Sequence, residues 1–380
     1  MKISFCTGWD IDKDGIADYS RHLTEELKKY DVDIQIIKLG HNINQADYYK
    51  QLAKQANEAD VCHIQYNYVY FNGDLPYRNR FLYFVSRLRL PIIMTVHEVR
   101  IGYERSDTGI NNKAKRFVFN KGLFFWNAWS VSYHKRMYNS VGAVHVHTKS
   151  QARLITPLVK NPDKVAVIPH AIPIITDDKK SFPSLQAKKN LGLEGKRVIT
   201  VFGFINKRKG LELVLNILAQ LPDDVVLLVA GGPMTNNTAD TQYYDSIKKL
   251  ISGLKLTQRV KITGYLKEED IPMVMSSSDI CLAAFLTTAA SGALSLYIGY
   301  NKPIIASDIP VHREIFERLP CLEMFSYERP LELRDKIIGL LDSASRKEEL
   351  IGLTRQYCQT HNYYAIAGIL AEKYKQLKRL

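Results

Sequence analysis

The sequence predicts an α/β protein made of two doubly wound, Rossmann-like domains, each built on a parallel sheet. Short apolar runs alternate with segments whose apolar residues recur at helical spacing, which is typical of parallel strands joined by helical crossovers. This alternation occurs twice, on either side of a polar segment, and a length of 380 residues suits two domains.

The first set of elements lies in residues 1–171. A helix is expected to begin just after Gly15, because Ile16, Tyr19, Leu23 and Leu27 recur at helical spacing. Predicted strands occupy residues 3–7, 32–39, 61–66, 91–97, 143–148 and 164–169.

A polar segment over residues 172–195, rich in Pro, Asp, Lys and Ser, predicts a linker, and residues 196–361 are predicted to form the second domain. In sheets of this kind, ligands bind beyond the carboxyl ends of the strands. Strands are expected at 198–205, 225–230, 260–265, 280–285 and 303–307, and helices at 211–221, 247–254, 271–275 and 293–298.

Composition argues against several classes of protein. No apolar run reaches the roughly 18 residues that a membrane-spanning helix needs. The strand pattern begins directly after Met1, which leaves no room for a signal peptide. The five cysteines are scattered without a CxxC pair, which argues against a disulfide framework or a thiolate metal site and favours a cytoplasmic location.

The net charge of +13 is concentrated in one stretch. Residues 78–160 contain fifteen Lys or Arg and three acidic residues, a net charge of +12. Anionic lipid, nucleic acid and a phosphorylated substrate are the partners that such a stretch favours. No motif of a nucleic-acid-binding fold accompanies the charge, so no nucleic-acid partner is predicted.

Two loops of the second domain have the character of anion sites. The first contains Arg208 and Lys209 directly before a helix, where free N–H groups and the helix dipole favour negative charge. The second contains Ser291 and Gly292 before another helix, where small residues let a phosphate approach the backbone. Alternatively, the first is a solvated basic turn and the second an ordinary serine N-cap. Together, the two loops suit a diphosphate.

Asp10, Asp12 and Asp14 stand at alternate positions, as carboxylate ligands of Ca²⁺ or Mg²⁺ can. The run is too short for an EF-hand, which needs a glutamate at its twelfth position. We therefore expect no metal site and no cofactor.

His97 ends a predicted strand, where a histidine in such a fold points toward the ligand crevice and can donate a hydrogen bond or transfer a proton. A histidine that is simply hydrogen-bonded inside the fold is the alternative. Strand or strand-end positions are also occupied by His63, His145, His147 and His170, so position alone does not single out His97.

The order and spacing of several short motifs resemble the family-four glycosyltransferases of the GT-B fold over nearly the full chain. The resemblance is carried by GIADY at 15–19, HIQY at 63–66, TVHE at 95–98, GFI at 203–205 with KG at 209–210, GYL at 264–266, SGAL at 291–294, Gly299, KP at 302–303 and ASD at 306–308.

This resemblance implies two domains that face a cleft, with a last helix inside 362–380 crossing back to complete the N-terminal, acceptor-side domain, while the C-terminal domain binds a nucleotide sugar. It implies metal-independent transfer of a sugar from a nucleotide diphosphate sugar to a glycan or lipid-linked hydroxyl, usually with retention at the anomeric carbon.

The same resemblance implies roles for individual residues. Lys209 would neutralise the departing diphosphate and His97 would contact the transferred sugar, so these two are the predicted catalytic residues. The predicted donor-binding residues are Gly15, Arg208, Gly264, Tyr265, Leu266, Ser291, Gly292, Ala293 and Leu294, and the predicted acceptor-side residues are Gln65, Tyr66 and Glu98.

The sequence departs from the family pattern at three positions. Two glutamates usual in the family fall on Ala289 and Tyr297, and a frequent arginine falls on Phe204, for which Arg208 is a candidate replacement. A second hypothesis is therefore a catalytically weak or inactive GT-B protein that binds a sugar or a nucleotide.

Residues 113–138 combine Lys and Arg with Phe117, Phe119, Phe124, Phe125, Trp126 and Trp129, and contain no acidic residue. Aromatic rings beside cations are typical of segments that lie on an anionic membrane surface. This pattern predicts peripheral attachment to the inner face of the membrane; the alternative is a core helix that buries its aromatic residues.

Overall fold

The computed structural model describes residues 1–9, 14–102, 113–175, 182–234, 238–287 and 291–378, with the backbone alone for 113–121. These residues fall into two compact units, Met1–Ala171 with Tyr363–Leu380, and Ile172–Asn362. Within the described ranges, each unit contains one six-stranded sheet whose neighbouring strands are parallel. The predicted α/β fold with two parallel sheets is confirmed.

The strands alternate with helices along the chain, as the periodicity predicts. The strands are β1 (Lys2–Gly8), β2 (Asp33–Leu39), β3 (Val61–Tyr66), β4 (Ile92–Val96), β5 (Ala143–Val146), β6 (Val165–Val167), β7 (Arg197–Phe202), β8 (Val225–Ala230), β9 (Val260–Ile262), β10 (Ile280–Ala283), β11 (Ile304–Ser307) and β12 (Glu323–Phe325). The helices are α1 (Gly15–Leu27), α2 (Ala46–Ala56), α3 (Phe81–Val85), α4 (Lys113–Asn139), α5 (Lys149–Ile155), α6 (Ser184–Asn190), α7 (Leu211–Leu218), α8 (Thr238–Gly253), α9 (Ile271–Ser277), α10 (Gly292–Gly299), α11 (Pro310–Arg318), α12 (Leu331–Asp342), α13 (Ala344–His361) and α14 (Tyr363–Lys378).

The sheet of the first unit has the strand order β2-β1-β3-β4-β5-β6. Successive side chains of a strand point to opposite faces, so a strand covered on both faces is apolar throughout. β1 shows this: Ile3 and Phe5 belong to one hydrophobic cluster, whereas Cys6 belongs to another.

Helix α14 follows the whole second unit in sequence but packs in the first. Ile366, Leu370 and Tyr374 lie on one side of the helix, in the same buried cluster as Ile3 and Leu23. The hydroxyl of Tyr30 also donates a hydrogen bond to the carbonyl of Tyr364 at 3.0 Å. α14 therefore covers apolar surface that β1 and α1 would otherwise expose to water.

The sheet of the second unit has the strand order β12-β11-β10-β7-β8-β9. Its two faces are again distinct: Leu227 and Val229 of β8 lie in one cluster, and Val226 and Leu228 in another. β7 is central, with β10 on one side and β8 on the other.

The composition predicts a linker over 172–195, but the described part of that segment belongs to the second unit. Ala187 of α6 is fully buried, and Leu191 and Leu193 pack in a cluster with Val198 and Val226. Composition is misleading here because α6 exposes most of its side chains, so its sequence is polar although its buried face is part of the core.

None of the helices in the described ranges combines the length and the apolar character that crossing a bilayer demands.

Replacing Ile366 with Ala should lower the free energy of unfolding by about 2–5 kcal/mol, because the 1% exposed side chain fills space between α14, α1 and β1. The matched control is Ile369→Ala on the same helix, where the side chain is 43% exposed and the expected loss is below about 1 kcal/mol. Urea denaturation measures both, and equal losses would contradict the packing of α14.

Candidate functional site

The loop after β7 carries the predicted phosphate-binding lysine. Lys207–Lys209 form a single 3-10 turn, and Gly210, with φ of +66°, leads into α7. The Lys209 ammonium donates a hydrogen bond to the carbonyl of Phe202 at 3.1 Å and lies 4.3 Å from the ring centre of Phe285. Lys207 and Arg208 are exposed. The lysine is thus folded back over the end of its own strand.

The environment of Lys209 disfavours its charge. Burial, and then the nearby charge of Arg208, lower the pKa of Lys209 to about 7. A carboxylate would normally raise such a pKa, but within the described residues the Lys209 ammonium donates its hydrogen bond to a neutral carbonyl. A bound anion would therefore stabilise the protonated, charged form of Lys209.

The loop after β10 leads into the N-terminus of α10. Ser291 is the N-cap, and its hydroxyl oxygen accepts a hydrogen bond from the N–H of Leu294 at 3.2 Å, so the ordinary capping role predicted as the alternative is present. The N–H groups of a helix's first turn have no acceptor within the helix. Among the described residues, no atom lies within 4 Å of a Cβ built at Gly292, so the first turn of α10 has room for a ligand beside Gly292.

The two loops lie side by side because β7 and β10 are neighbouring parallel strands. The N–H of Leu286 donates to the carbonyl of Arg208 at 2.9 Å, which joins the loops directly. Beside this contact, the Tyr327 hydroxyl donates to the carbonyl of Ala284. A Cβ at Gly210 would overlap both of these oxygens, so the close approach of the loops requires glycine.

Glycines also line the ends of β7, β8 and β9. The N–H of Gly203 donates to the carbonyl of Ala230 at 2.9 Å, and a Cβ at Gly231 would overlap the carbonyl of Gly203. The Gly231 N–H donates to the Thr263 hydroxyl at 3.1 Å, just before Gly264, whose φ is +76°. Gly231 and Gly232 were not among the predicted site residues, although a Gly-Gly pair after a buried strand signals close backbone approach.

The remaining donor-side residues differ in accessibility. Tyr265 is 61% exposed at the end of the β9 loop, and Leu266 packs partly buried against the cluster of β8. Ala293 and Leu294 are buried in the first turn of α10. Only the backbone of these last two residues can therefore face a ligand.

Tyr297, one of the two positions at which the motif resemblance leads us to expect a glutamate, is fully buried. Its hydroxyl accepts a hydrogen bond from the N–H of Phe202 at 2.7 Å, while the carbonyl of Phe202 accepts from Lys209, so both backbone polar groups of Phe202 are bound by side chains. A tyrosine in this place supports the backbone and supplies no carboxylate. Ala289, the other position, lies outside the described residues.

His312, after β11, is a further buried group beside Lys209 that sequence reasoning missed. Its Nδ1–H donates to the carbonyl of Ser307 at 2.8 Å, and its ring packs 5.5 Å from that of Phe285. Burial first lowers the pKa of His312 to about 4, and the charge of Lys209 adds to this effect. His312 therefore remains neutral and adds no charge next to the lysine.

In the first unit, His97 ends β4 and both of its ring nitrogens contact protein. Nε2 lies 2.6 Å from the amide of Gln65, and Nδ1 lies 3.2 Å from His147 Nε2. Burial, and then the neighbouring histidines, lower the pKa of His97 well below its usual value. His97 is therefore a neutral residue inside a polar cluster, in keeping with the hydrogen-bonded histidine considered above.

The three predicted acceptor-side residues differ in how far their side chains are buried. Gln65 and Tyr66 are buried, with the Tyr66 ring stacked on Phe71 in the hydrophobic core. Glu98 is partly exposed and forms an ion pair with Arg100 at 2.9 Å. Among these three, Glu98 alone is accessible to a ligand.

Gly15 is the exposed first residue of α1, but the N-terminus of this helix is already occupied by the carboxylate of Asp14. Asp14 Oδ1 accepts hydrogen bonds from Ile16 at 2.9 Å and from Ala17 at 3.3 Å, while Oδ2 contacts His41 at 3.1 Å and accepts from Tyr70. A phosphate at Gly15 would meet this negative charge. Asp10 and Asp12 lie outside the described residues, and within the described part of the chain no cluster of metal-ligating side chains occurs.

Helix α4 divides into a buried and an exposed half. Tyr133, Met137 and Tyr138 pack in the core, whereas Phe124 and Phe125 are 71% and 70% exposed. Trp126 and Trp129 are also exposed and pack against the exposed Tyr77, with ring centres 6.2 and 5.9 Å away. We call Tyr77, Phe124, Phe125, Trp126 and Trp129 the aromatic patch. Phe117 and Phe119 have no described side chains.

Residues 184–356, a little under half of the chain, match the family described as glycosyl transferases group 1. Mannosylfructose-phosphate synthase from Agrobacterium fabrum is 25% identical over 202 residues, which cover 51% of this chain and 43% of that protein. The GPI3 subunit of phosphatidylinositol N-acetylglucosaminyltransferase from Saccharomyces cerevisiae is 27% identical over 188 residues, which cover 48% and 39%. The match thus spans less than half the length of these relatives.

The solved structure of HepE from Anabaena, in complex with UDP and glucose, has a TM-score of 0.73 at 15% identity and covers 99% of this chain and 100% of that one. The predicted GT-B fold class is confirmed by such neighbours. The matched family lies entirely within the second unit, where the loops after β7 and β10 form the candidate anion site.

Replacing Gly210 with Ala should destabilise the protein by at least about 1–3 kcal/mol, because alanine is strained at φ of +66° and its Cβ would overlap the Tyr327 and Ala284 oxygens. Gly253→Ala, at the end of α8 with open space around it, is the control and should be neutral or slightly stabilising. Thermal melting measures both, and a Gly210→Ala protein as stable as the control would show that the loops after β7 and β10 can separate freely.

Proposed function

We propose that the protein transfers a sugar from a nucleotide diphosphate sugar to an acceptor hydroxyl. This proposal builds on the match of residues 184–356 to the glycosyl transferases group 1 family. The observation that carries the proposal is the joining of two anion-binding features, Lys209 and the α10 N-terminus, on neighbouring strand ends. A diphosphate has two charged groups and needs two anion-binding features close together. A single basic turn supplies only one.

The donor is proposed to bind through its phosphates at this edge of the second sheet. Lys209 would turn from the Phe202 carbonyl toward a phosphate oxygen, and the N–H groups of Gly292 and Ala293 would donate to another. The backbone of Gly264, Tyr265 and Leu266 is proposed to face the nucleotide base, with the exposed Arg208 available to the ribose or phosphates.

In the reaction, the bond between the anomeric carbon and the diphosphate oxygen breaks, the acceptor oxygen forms the new bond to that carbon, and the proton of the acceptor hydroxyl passes to the departing diphosphate or to solvent. Negative charge then grows on the departing diphosphate, and a positioned cation such as Lys209 stabilises it more than it stabilises the bound donor. We propose that this cation and the helix N–H groups replace a divalent metal. Retention at the anomeric carbon is proposed on the motif resemblance alone.

His97 and Glu98 are proposed to contact the transferred sugar and the acceptor, and the buried Gln65 and Tyr66 are proposed to support this side of the site from within the core. Because both ring nitrogens of His97 are engaged, its proposed contact with substrate requires Gln65 to release Nε2. Glu98 is paired with Arg100 but accessible, and therefore suits a hydroxyl-rich acceptor.

The acceptor is proposed to be lipid-linked, with the protein held peripherally on an anionic membrane, on the cytoplasmic face. The support is the aromatic patch, whose rings are exposed rather than buried, together with the exposed cations Lys135 and Arg136 further along the same helix. One relative is a phosphatidylinositol N-acetylglucosaminyltransferase subunit, and a lipid acceptor of that kind agrees with this proposal.

A second candidate function is binding of a sugar or nucleotide without turnover. It is favoured by Tyr297, which places a buried tyrosine where the family pattern has a carboxylate. Steady release of UDP from a panel of UDP-sugars by the wild-type protein supports the enzyme. Tight UDP binding without release from any nucleotide sugar supports the binding protein instead.

Replacing Lys209 with Ala should reduce turnover by about 10²–10³, the scale for losing one group that stabilises charge in the transition state. Lys207→Ala, an exposed cation two residues away, is the control and should stay within a few-fold of the wild type. Release of nucleoside diphosphate is measured in buffer containing EDTA. A Lys209→Ala enzyme of parental activity would refute the phosphate assignment, and loss of wild-type activity in EDTA that Mg²⁺ or Mn²⁺ restores would refute metal independence.

The affinity for UDP should fall as the pH rises. The pKa of unliganded Lys209 is lowered to about 7, so above that pH binding must first protonate the amine, which costs up to about tenfold in affinity per pH unit. Titration calorimetry between pH 7.5 and 9.5 avoids the ionisation of the phosphate itself, near pH 6. Lys209→Arg, which remains charged, should flatten the profile. Parallel profiles for the two proteins would be inconsistent with Lys209 as the titrating group.

The aromatic patch should bind vesicles of anionic lipid, because its rings can enter the headgroup boundary while cations meet the lipid charge, at about 1 kcal/mol per cation. Sedimentation with liposomes should show binding that weakens with salt and is lost in the double variant Phe124→Ser, Phe125→Ser. The control, Leu185→Ser, changes a 69% exposed residue of the second unit and should bind like the wild type. Equal recovery of wild type with neutral and anionic vesicles at low salt would favour a soluble acceptor.

A further inference from the structure

A continuous chain of polar side chains crosses the first unit from α14 to the end of β6. Each member is buried, and they come from four different elements and the segments that follow them. The links, in order, are Tyr374 Oη to His63 Nδ1 (2.6 Å), His63 Nε2 to the Gln65 amide (3.2 Å), the Gln65 amide to His97 Nε2 (2.6 Å), His97 Nδ1 to His147 Nε2 (3.2 Å), and His147 Nδ1 to the Ile168 carbonyl (3.1 Å).

The direction of this chain is determined at the Ile168 end. A carbonyl only accepts, so His147 must carry a proton on Nδ1. Burial lowers the pKa of His147 to about 4, so the ring is neutral and its Nε2 is an acceptor. His97 must then donate from Nδ1 to that acceptor, which leaves His97 Nε2 without a proton.

His97 Nε2 therefore needs a donor, and the amide of Gln65 is the group beside it. In the structure, Gln65 Oε1 faces His97 Nε2 and Gln65 Nε2 faces His63 Nε2. The two orientations of a glutamine amide exchange only N and O, so hydrogen-bonding partners decide between them, and here they favour the exchanged orientation. With the amide nitrogen toward His97, the amide oxygen faces His63 Nε2 at 3.2 Å, and the N–H of that nitrogen is shared between this oxygen and the Thr95 hydroxyl oxygen at 2.8 Å. His63 Nδ1 can then accept from the Tyr374 hydroxyl. Every link has one donor and one acceptor, and every ring is neutral.

The opposite orientation places the amide oxygen against His97 Nε2 and requires a proton there. A proton is then needed on His97 Nδ1 or on His147 Nε2 as well, so that the contact between these two nitrogens remains a hydrogen bond. Either choice places two protons on one buried imidazole and gives it a positive charge. Charging a buried ring without a carboxylate beside it is costly.

We propose that the chain runs in one direction from Tyr374 to Ile168, and that Gln65 is a positioning residue that holds His97 as the neutral Nδ1–H tautomer. In this arrangement His97 is hydrogen-bonded on both sides, its ring orientation is fixed, and it acts neither as a general base nor as a proton donor until Gln65 moves. The consequence for turnover rests on the proposed function, whereas the tautomers do not.

The test uses the full chain labelled with ¹⁵N-histidine. Two-bond ¹H–¹⁵N correlation spectra distinguish the two neutral tautomers from the charged ring, and single His→Gln variants assign the signals. His97 and His147 should be protonated at Nδ1, and His63 at Nε2. A wild-type His97 protonated at Nε2, alone or together with Nδ1, would overturn the proposal without any variant of Gln65.

The variant Gln65→Glu replaces the amide by an acceptor of the same shape. His97 should gain a second proton, on Nε2, and become charged. Gln151→Glu is the matched control, because the buried Gln151 amide contacts the backbone carbonyl of His97 at 3.1 Å and not its ring. The control should leave His97 neutral; a proton gained equally in both variants, or in neither, would refute the role of Gln65.

Activity separates positioning from simple packing. Gln65→Glu should lower kcat for sugar transfer by up to about 10²-fold and leave the affinity for UDP unchanged, since the proposed UDP site lies in the second unit. A Gln65→Glu enzyme with a charged His97 and normal kcat would refute the positioning role. If the wild type releases no UDP from nucleotide sugars while its tautomers are as expected, the proposed function fails and the directed chain stands.

Discussion

The pairing of β7 with β10 is the constraint on which the candidate site depends. Ile199 lies opposite Ile280 and Thr200 opposite Cys281, although about 80 residues separate the two strands in sequence. Because the strands are parallel, their carboxyl ends meet at one edge, and the loops that follow must share the same space. The Lys209 ammonium can lie over the ring of Phe285 only because of this pairing.

Strands buried on both faces could be predicted from the sequence because they leave a continuous apolar run. The bounds of β3 and β8 are those that the pattern predicts. The short strand β12 and the helix α6 were not predicted, since three residues or one buried helical face leave too weak a pattern. Lys209 and Ser291 could be found as candidates because loops that bind anions are local in sequence, with their charge or small residues next to a helix start.

The surroundings of those candidates could not be predicted, because they are set by contacts between distant elements. Five histidines at strand positions were visible in the sequence, yet only the order β3-β4-β5 reveals that His63, His97 and His147 become neighbours. Tyr297 illustrates the same limit. Its hydroxyl accepts a hydrogen bond from the backbone N–H of Phe202, and this contact joins residues 95 positions apart, so no local sequence pattern indicates it.

The position of α14 has a consequence for the order in which the two units fold during synthesis. The second unit is one uninterrupted piece of chain, whereas the first unit is completed by a helix that the ribosome makes only after the second. Until then, Ile3, Phe5 and Val61 lack the cover that α14 supplies. The earlier-made unit is thus the later one to finish folding, and its uncovered sheet face must be kept from aggregation while nearly two hundred further residues are synthesised.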